Sequence, residues 1–321
     1  MKNLIKVLAL ISTLSQLSCS RDIYPDEPKL TTFQTNQEPA HKSGGSGAER
    51  TVYVAVEIPY NHNASSKKAS SPLANGFAHN DYLHKHPLYD ALENGFTNIE
   101  ADIFLENDKL IVAHFFPWFK GDRTLESLYL QPLLKRTIEN DGEVFAGYNH
   151  PVTLLIDIKT NAVATYAKLK PLLEKYKSIL TGYENGKVVY RAVTIVLSGN
   201  KPYQAIENEK NRLAFIDEDL CKVPCDQVND NVFTMASCRY SRLIKWNGNG
   251  PITDADKNTL CALVIIAHKM GAKVRLWASP ENTAVWAELL SCGVDLINTD
   301  ELVTFKNYLV SPNFSAVTHR M

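Results

Sequence analysis

Four polar interruptions in otherwise apolar runs carry most of the chemical potential of this sequence: His79-Asn80-Asp81, Glu100-Ala101-Asp102, His114, and Asp157-Ile158-Lys159. Glu100 and Asp102 are two residues apart, so on a β-strand both point to the same face. Two carboxylates on an enclosed face need compensation. A hard cation such as calcium or magnesium takes oxygen ligands and would supply it, with Asp157 and the Asn80 amide available to extend the shell. Without a metal, Lys159 is the natural partner. His79 and His114 end apolar runs on either side of the acidic pair, where one imidazole can take a proton while the other gives one. Phosphodiester cleavage needs that division of labour, together with neutralisation of charge on the phosphoryl oxygens. A lone histidine at a strand end ordinarily makes local hydrogen bonds. These two stand in register with the carboxylates, which sets them apart from His84 and His86, read here as surface residues in a loop beside Lys85 and Pro87.

The elements that must position these groups follow from apolar periodicity. Strands are predicted over 75–79, 97–105, 109–113, 152–158, 188–197, 213–216, 273–277 and 294–298, and helices over 87–94, 125–138, 163–180, 254–270 and a stretch ending at Leu290. Pro171 is expected to kink the third of these helices. Strands alternating with helices imply a parallel sheet covered by helices. About eight strand–helix units over ~250 residues favour a closed α/β barrel of the TIM type, with chemistry at the carboxyl ends of the strands. Trp277 ends a late strand, where it can wall a substrate or pack the barrel. Arg275, two residues earlier, shares its face and can reach a phosphate or form a structural ion pair. Asp300 reads as a cap for the following helix.

The 34 basic and 35 acidic residues leave a net charge of −1, so no overall field draws nucleic acid, and partners must be argued from a site. Lys2 and Lys6 precede an apolar run from Val7 to Leu14, followed by Leu17-Ser18-Cys19, which reads as a secretory signal over 1–19 with a lipobox-like cysteine. Acylation of Cys19 would make the chain an exported, membrane-anchored lipoprotein; plain secretion is the alternative. Residues 20–72 are rich in Pro, Ser, Thr, Asn and charge and read as a tether. A barrel domain is expected over 73–310 and a tail over 311–321. Export permits disulfides, with Cys221 to Cys225 or Cys238 among the pairings left open. A zinc site at Cys221-x-x-x-Cys225 finds no second ligand pair at suitable spacing.

Several motifs, taken in order, resemble one family: His79-Asn-Asp-Tyr82, Pro87-Leu-Tyr-Asp-Ala-Leu-Glu-Asn-Gly95, Ile99-Glu-Ala-Asp102, Val112-Ala-His114 and Arg123-Thr-Leu-Glu-Ser-Leu-Tyr-Leu130. Leu154-Leu-Ile-Asp-Ile-Lys159, Val274-Arg-Leu-Trp277 and Gly293-Val-Asp-Leu-Ile-Asn-Thr-Asp300 continue the series. Over roughly residues 75 to 305 the chain resembles the glycerophosphodiester phosphodiesterases and phosphatidylinositol-specific phospholipases C, which share a barrel. It looks closest to their bacterial lipoprotein and fungal "altered inheritance of mitochondria" relatives. The resemblance implies a PLC-like phosphodiesterase barrel in which His79 is the general base and His114 the general acid. It further implies Glu100, Asp102 and Asp157 as metal ligands, and Lys159 on the phosphate. Asn80 matches a ligand of the phospholipase branch, where glycerophosphodiesterases carry arginine, and Asp157 stands where those enzymes carry glutamate. The implied activity is metal-dependent hydrolysis of a glycerophosphodiester or related lipid-derived phosphodiester. Phospholipase C-like cleavage of inositol or sphingoid lipids, and a non-catalytic barrel that grips a phosphorylated ligand or glycan, are the alternatives.

Overall fold

The structure is a computed structural model that describes residues 71–223 and 231–311. The expected signal with Cys19, nearly all of the tether, the tail beyond residue 311, and Cys225 lie outside the described residues.

Eleven strands are seen there: β1 (Leu73–Ala78), β2 (Phe96–Glu106), β3 (Lys109–Val112), β4 (Val152–Ile158), β5 (Gly182–Glu184), β6 (Lys187–Val189), β7 (Val193–Gly199), β8 (Phe215–Asp219), β9 (Phe233–Arg239), β10 (Lys273–Trp277) and β11 (Leu296–Thr299). Eight of them run parallel in the order β1-β2-β4-β7-β8-β9-β10-β11, and β11 pairs back with β1 to close an α/β barrel of the TIM type. Runs such as Val152-Thr-Leu-Leu-Ile are buried on both faces, as staves between a filled interior and a helical layer must be. The side-chain alternation divides the core accordingly. Phe77, Leu155, Val196, Met235 and Leu296 form an inner cluster. Ile99, Leu154, Leu169, Val264, Trp286 and Phe305 belong to the larger cluster that includes the helices.

Helices return the chain between staves, and side-chain caps fix where the longer ones begin. Asn161 accepts from Ala164 N at the start of Ala162–Lys175, Thr253 from Asp256 N ahead of Asp254–Lys269, and Asn282 from Val285 N ahead of Thr283–Ser291. Helix Ala162–Lys175 contains Pro171 and ends earlier than the periodicity predicts, at Tyr176.

The sequence reading requires three corrections in the fold. Lys109–Val112 is not a stave but an antiparallel extension hairpinned onto β2. The single strand predicted over 188–197 is two, because the chain turns between β6, which pairs with β5 in a separate ribbon, and β7, which enters the barrel. Stave β9 is absent from the prediction; its sequence, Phe-Thr-Met-Ala-Ser-Cys-Arg, mixes small and polar residues with few β-branched ones. Among the described residues a disulfide joins Cys261 to Cys292, tying two outer helices, while Cys221 and Cys238 are thiols in hydrogen-bonding contact.

Candidate active site

The carboxyl ends of β1, β2, β4 and β11 bring the sequence-predicted groups to one mouth of the barrel. Glu100 and Asp102 lie on the inner face of β2, and Asp157 is paired in register with Asp102 across β4. One oxygen from each of the three lies within 4.8 Å of the others. Oxygens bound to a common calcium or magnesium at 2.0–2.6 Å can stand about that far apart, so the spacing fits a shared hard cation. Asp157 keeps its position because Gly199, at φ +66°, has no Cβ; one built there would collide with Asp157 Oδ1.

The site is short of positive charge. Burial raises the pKa of Asp102, and the charges of Glu100 and Asp157 push the same way, against the Tyr82 hydrogen bond and Lys159. Lys159 Nζ lies 3.1 Å from Asp102 Oδ2 and 2.8 Å from Asp157 Oδ2, forming the metal-free pairing that the sequence leaves open. Burial acts to lower the pKa of Lys159, but the two carboxylates outweigh it and raise the pKa, so the ammonium stays charged.

Each histidine has an acidic partner behind it. His79 follows β1, its N–H bonded to Thr299 O on β11 (3.0 Å). Its Nδ1 lies 2.8 Å from Asp300 Oδ1 and its Nε2 lies 3.6 Å from Glu100 Oε2. Burial acts to lower the His79 pKa, yet the Asp300 hydrogen bond and the charges of Glu100 and Asp300 together raise it above its ordinary value. Asn80 Nδ2 also lies 2.9 Å from His79 Nδ1; in the tautomer that donates Nδ1–H to Asp300, Nε2 carries the lone pair. Asp300 is itself placed by Glu281, which accepts from the Asp300 N–H (2.9 Å) and from Thr299 Oγ1 (2.6 Å). The helix-cap role expected for Asp300 is therefore wrong: helix Leu302–Leu309 has no side-chain cap, and the carboxylate serves His79.

His114 lies just past β3. Its Nδ1 is 2.9 Å from the Tyr82 hydroxyl and 3.4 Å from Asp102 Oδ2. Tyr82, which sequence reading passed over, donates to Asp102 Oδ2 (2.6 Å), stacks against the His114 ring, and is anchored by Arg123, which donates to its carbonyl oxygen (2.6 Å). In sequence it stands only as the last residue of the His79-Asn-Asp-Tyr82 motif, with no role attached.

Asn80, at φ 49°, turns the chain out of β1. Its Oδ1 is within 2.7 Å of the Tyr82 hydroxyl and its Nδ2 donates to Asp300 Oδ1 (3.3 Å). The Asn80 N–H also lies 3.4 Å from Glu100 Oε2, and its Oδ1 meets the same Tyr82 hydroxyl as Asp102 Oδ2, so Asn80 borders both the histidines and the carboxylates. Arg275 is buried inside the barrel. Its guanidinium stacks on Phe77 and lies near Asn298, Asp217 and Glu100 at 3.2, 3.5 and 3.6 Å, the ion-pair position rather than one open to solvent. Trp277 stands at the mouth, partly exposed, with Arg239 beside its ring. A cavity of about 700 Å³ opens at the opposite end of the barrel, between Thr153, Thr194, Met235 and Tyr148, and contains none of these groups.

The family described as AIM6-like phosphodiesterase domain matches residues 71–217, which include both histidines and the three clustered carboxylates. The chain is 28% identical to "Altered inheritance of mitochondria protein 6" of Lachancea thermotolerans, over 82% of this chain and 71% of that protein. It is 30% identical to the protein of the same name from Saccharomyces cerevisiae, over 70% and 68% respectively. A homolog from Arthroderma benhamiae is 27% identical, over 72% and 82%.

Proposed function

The chain belongs to the AIM6-like phosphodiesterase family, and we propose that it is a metal-dependent phosphoric diester hydrolase acting on a glycerophosphodiester or another lipid-derived phosphodiester. The observation that carries this reading is the convergence of Glu100, Asp102 and Asp157 on one point, with a histidine on either side. Those three residues would hold calcium or magnesium, which when bound would neutralise charge on the phosphoryl oxygens. Lys159 would then leave the carboxylates for the phosphate.

In the reaction, His79 Nε2 takes the proton from the attacking hydroxyl as a new P–O bond forms. The hydroxyl belongs either to the substrate, next to the diester, which yields a cyclic phosphate, or to water. His114 gives a proton to the oxygen of the P–O bond that breaks. Asp300 steadies the imidazolium formed at His79, and Tyr82 with Asp102 orients His114. Trp277 would form a wall for the leaving group. The leader and Cys19 support export and a lipid anchor, which would place the domain at a membrane.

Phosphorus NMR on glycerophosphoinositol, glycerophosphocholine and lysophosphatidylcholine with each metal tests the proposal. Loss of a diester signal with growth of a monoester or cyclic phosphate is the expected result. Metal binding with every diester intact would instead favour a barrel that grips phosphorylated ligands without cleaving them.

A further inference from the structure

The loop that follows His114 exposes aromatic side chains where a soluble surface gains nothing from them. Phe115, Phe116 and Trp118 are 66%, 60% and 59% exposed. The rings form a continuous ledge: Phe115 meets the His114 ring edge-on at 4.2 Å, Phe115 and Phe116 centroids are 6.3 Å apart, and Trp118 packs on Phe116 at 5.5 Å. Phe116 also sits at φ 55°, a left-handed conformation unfavourable for a bulky residue. Backbone strain spent on holding an apolar ring in solvent points to a function for the ring. Arg123, on the same loop, bonds the Tyr82 carbonyl, and the turn carrying Tyr82 exposes Leu83 and Lys85; Lys120, two residues after Trp118, is exposed as well.

From this ledge we infer a docking surface for an anionic phospholipid bilayer, which seats Phe116 and Trp118 at the boundary between headgroups and acyl chains. Aromatic rings flanked by cations suit that boundary, and the lysines complement anionic headgroups. The three rings expose about 350 Å² at their observed fractions of a typical aromatic side chain. That is well under the ~800 Å² per partner of a stable protein interface, which argues against a second copy of this chain as occupant. The geometry also has a consequence for the site. With the ledge inserted, His114, on the same loop and in ring contact with Phe115, is held at the depth of the lipid phosphates. The surface gives the proposed hydrolase access to membrane-borne diesters, so it rests on that reading for its purpose, while its binding is measured independently of turnover.

The test uses the full chain carrying Cys19→Ser, so that no acyl anchor contributes, with vesicles of phosphatidylcholine containing about one-third phosphatidylglycerol. Co-sedimentation should show binding with a blue shift of tryptophan emission. The further change Phe116→Ala/Trp118→Ala should weaken binding at least about ten-fold, while circular dichroism and turnover of a soluble diester stay at the parent's level. Equal binding by the two proteins, no binding by the parent, or a parent dimer that the double change dissolves would overturn the inference. A parent that binds vesicles through the ledge yet turns over no soluble diester would count against the hydrolase reading alone.

Discussion

Asp81→Asn should stabilise the barrel at pH 8 by far more than at pH 5. Asp81 is fully buried under the His79–Asn80 turn, where Oδ2 accepts from Leu88 N (2.6 Å) and the Tyr129 hydroxyl (2.9 Å) and Oδ1 has no partner. Burial pushes its pKa up to about 7, with Asp90 adding to the rise and the two hydrogen bonds opposing it. Between about pH 4 and 7 the folded state keeps a proton that the unfolded chain releases, so stability falls as pH rises through that window and stays low above it. At ~1.4 kcal/mol per pH unit, the cost of ionising Asp81 is about 1.5 kcal/mol at pH 5 and about 4 kcal/mol at pH 8. Asparagine does not titrate and can keep an acceptor oxygen toward Leu88 and Tyr129. Urea unfolding of parent and variant in chelator should therefore show the variant's advantage growing by about 2–3 kcal/mol from pH 5 to pH 8. An equal difference at both pH values, or a variant less stable than the parent at pH 8, would refute the assignment of a buried, raised carboxyl.

Asp300→Ala should lower kcat on a soluble diester by roughly ten- to a hundred-fold, less than loss of His79 itself, with circular dichroism unchanged, because it removes the partner of His79 Nδ1 and leaves the ring. Gly199→Ala should weaken calcium or magnesium binding by at least about ten-fold in calorimetric titration, since the added Cβ displaces Asp157 and the backbone is left-handed. Opening the Cys261–Cys292 bridge, which spans 31 residues, should cost about 3.5 kcal/mol in urea unfolding with and without reductant, and peptide mass mapping should find that pair alone linked among Cys221, Cys238, Cys261 and Cys292.

The candidate site was legible in sequence where a strand's period of two did the work: Glu100 and Asp102 had to share a face, and Asp157-Ile-Lys159 had to end another strand, whose place beside β2 only the structure shows. The barrel was legible from strand–helix alternation. The identity of the eight staves was only partly so, because β9 has Ser237 facing Asp217 in the barrel interior and the small residues Thr234 and Ala236 on its other face, while the apolar Lys109–Val112 hairpin mimics a stave. Asp300 and Tyr82 were illegible as partners. Asp300 reaches His79 from 221 positions away, across the seam where β11 closes on β1, and a one-dimensional pattern favours the local cap over such a contact. Arg275 illustrates the limit of same-face reasoning: parity places it in the barrel with Trp277, but depth decides that it pairs with Glu100 and Asp217.

The most direct measurement is hydrolysis of bis(p-nitrophenyl) phosphate by the parent, His79→Ala and His114→Ala, each with calcium, magnesium or chelator. Turnover should require a divalent metal and fall by about 10²–10⁴-fold in both histidine variants. Turnover that survives chelation, or that persists in either histidine variant at the parent's rate, would contradict it.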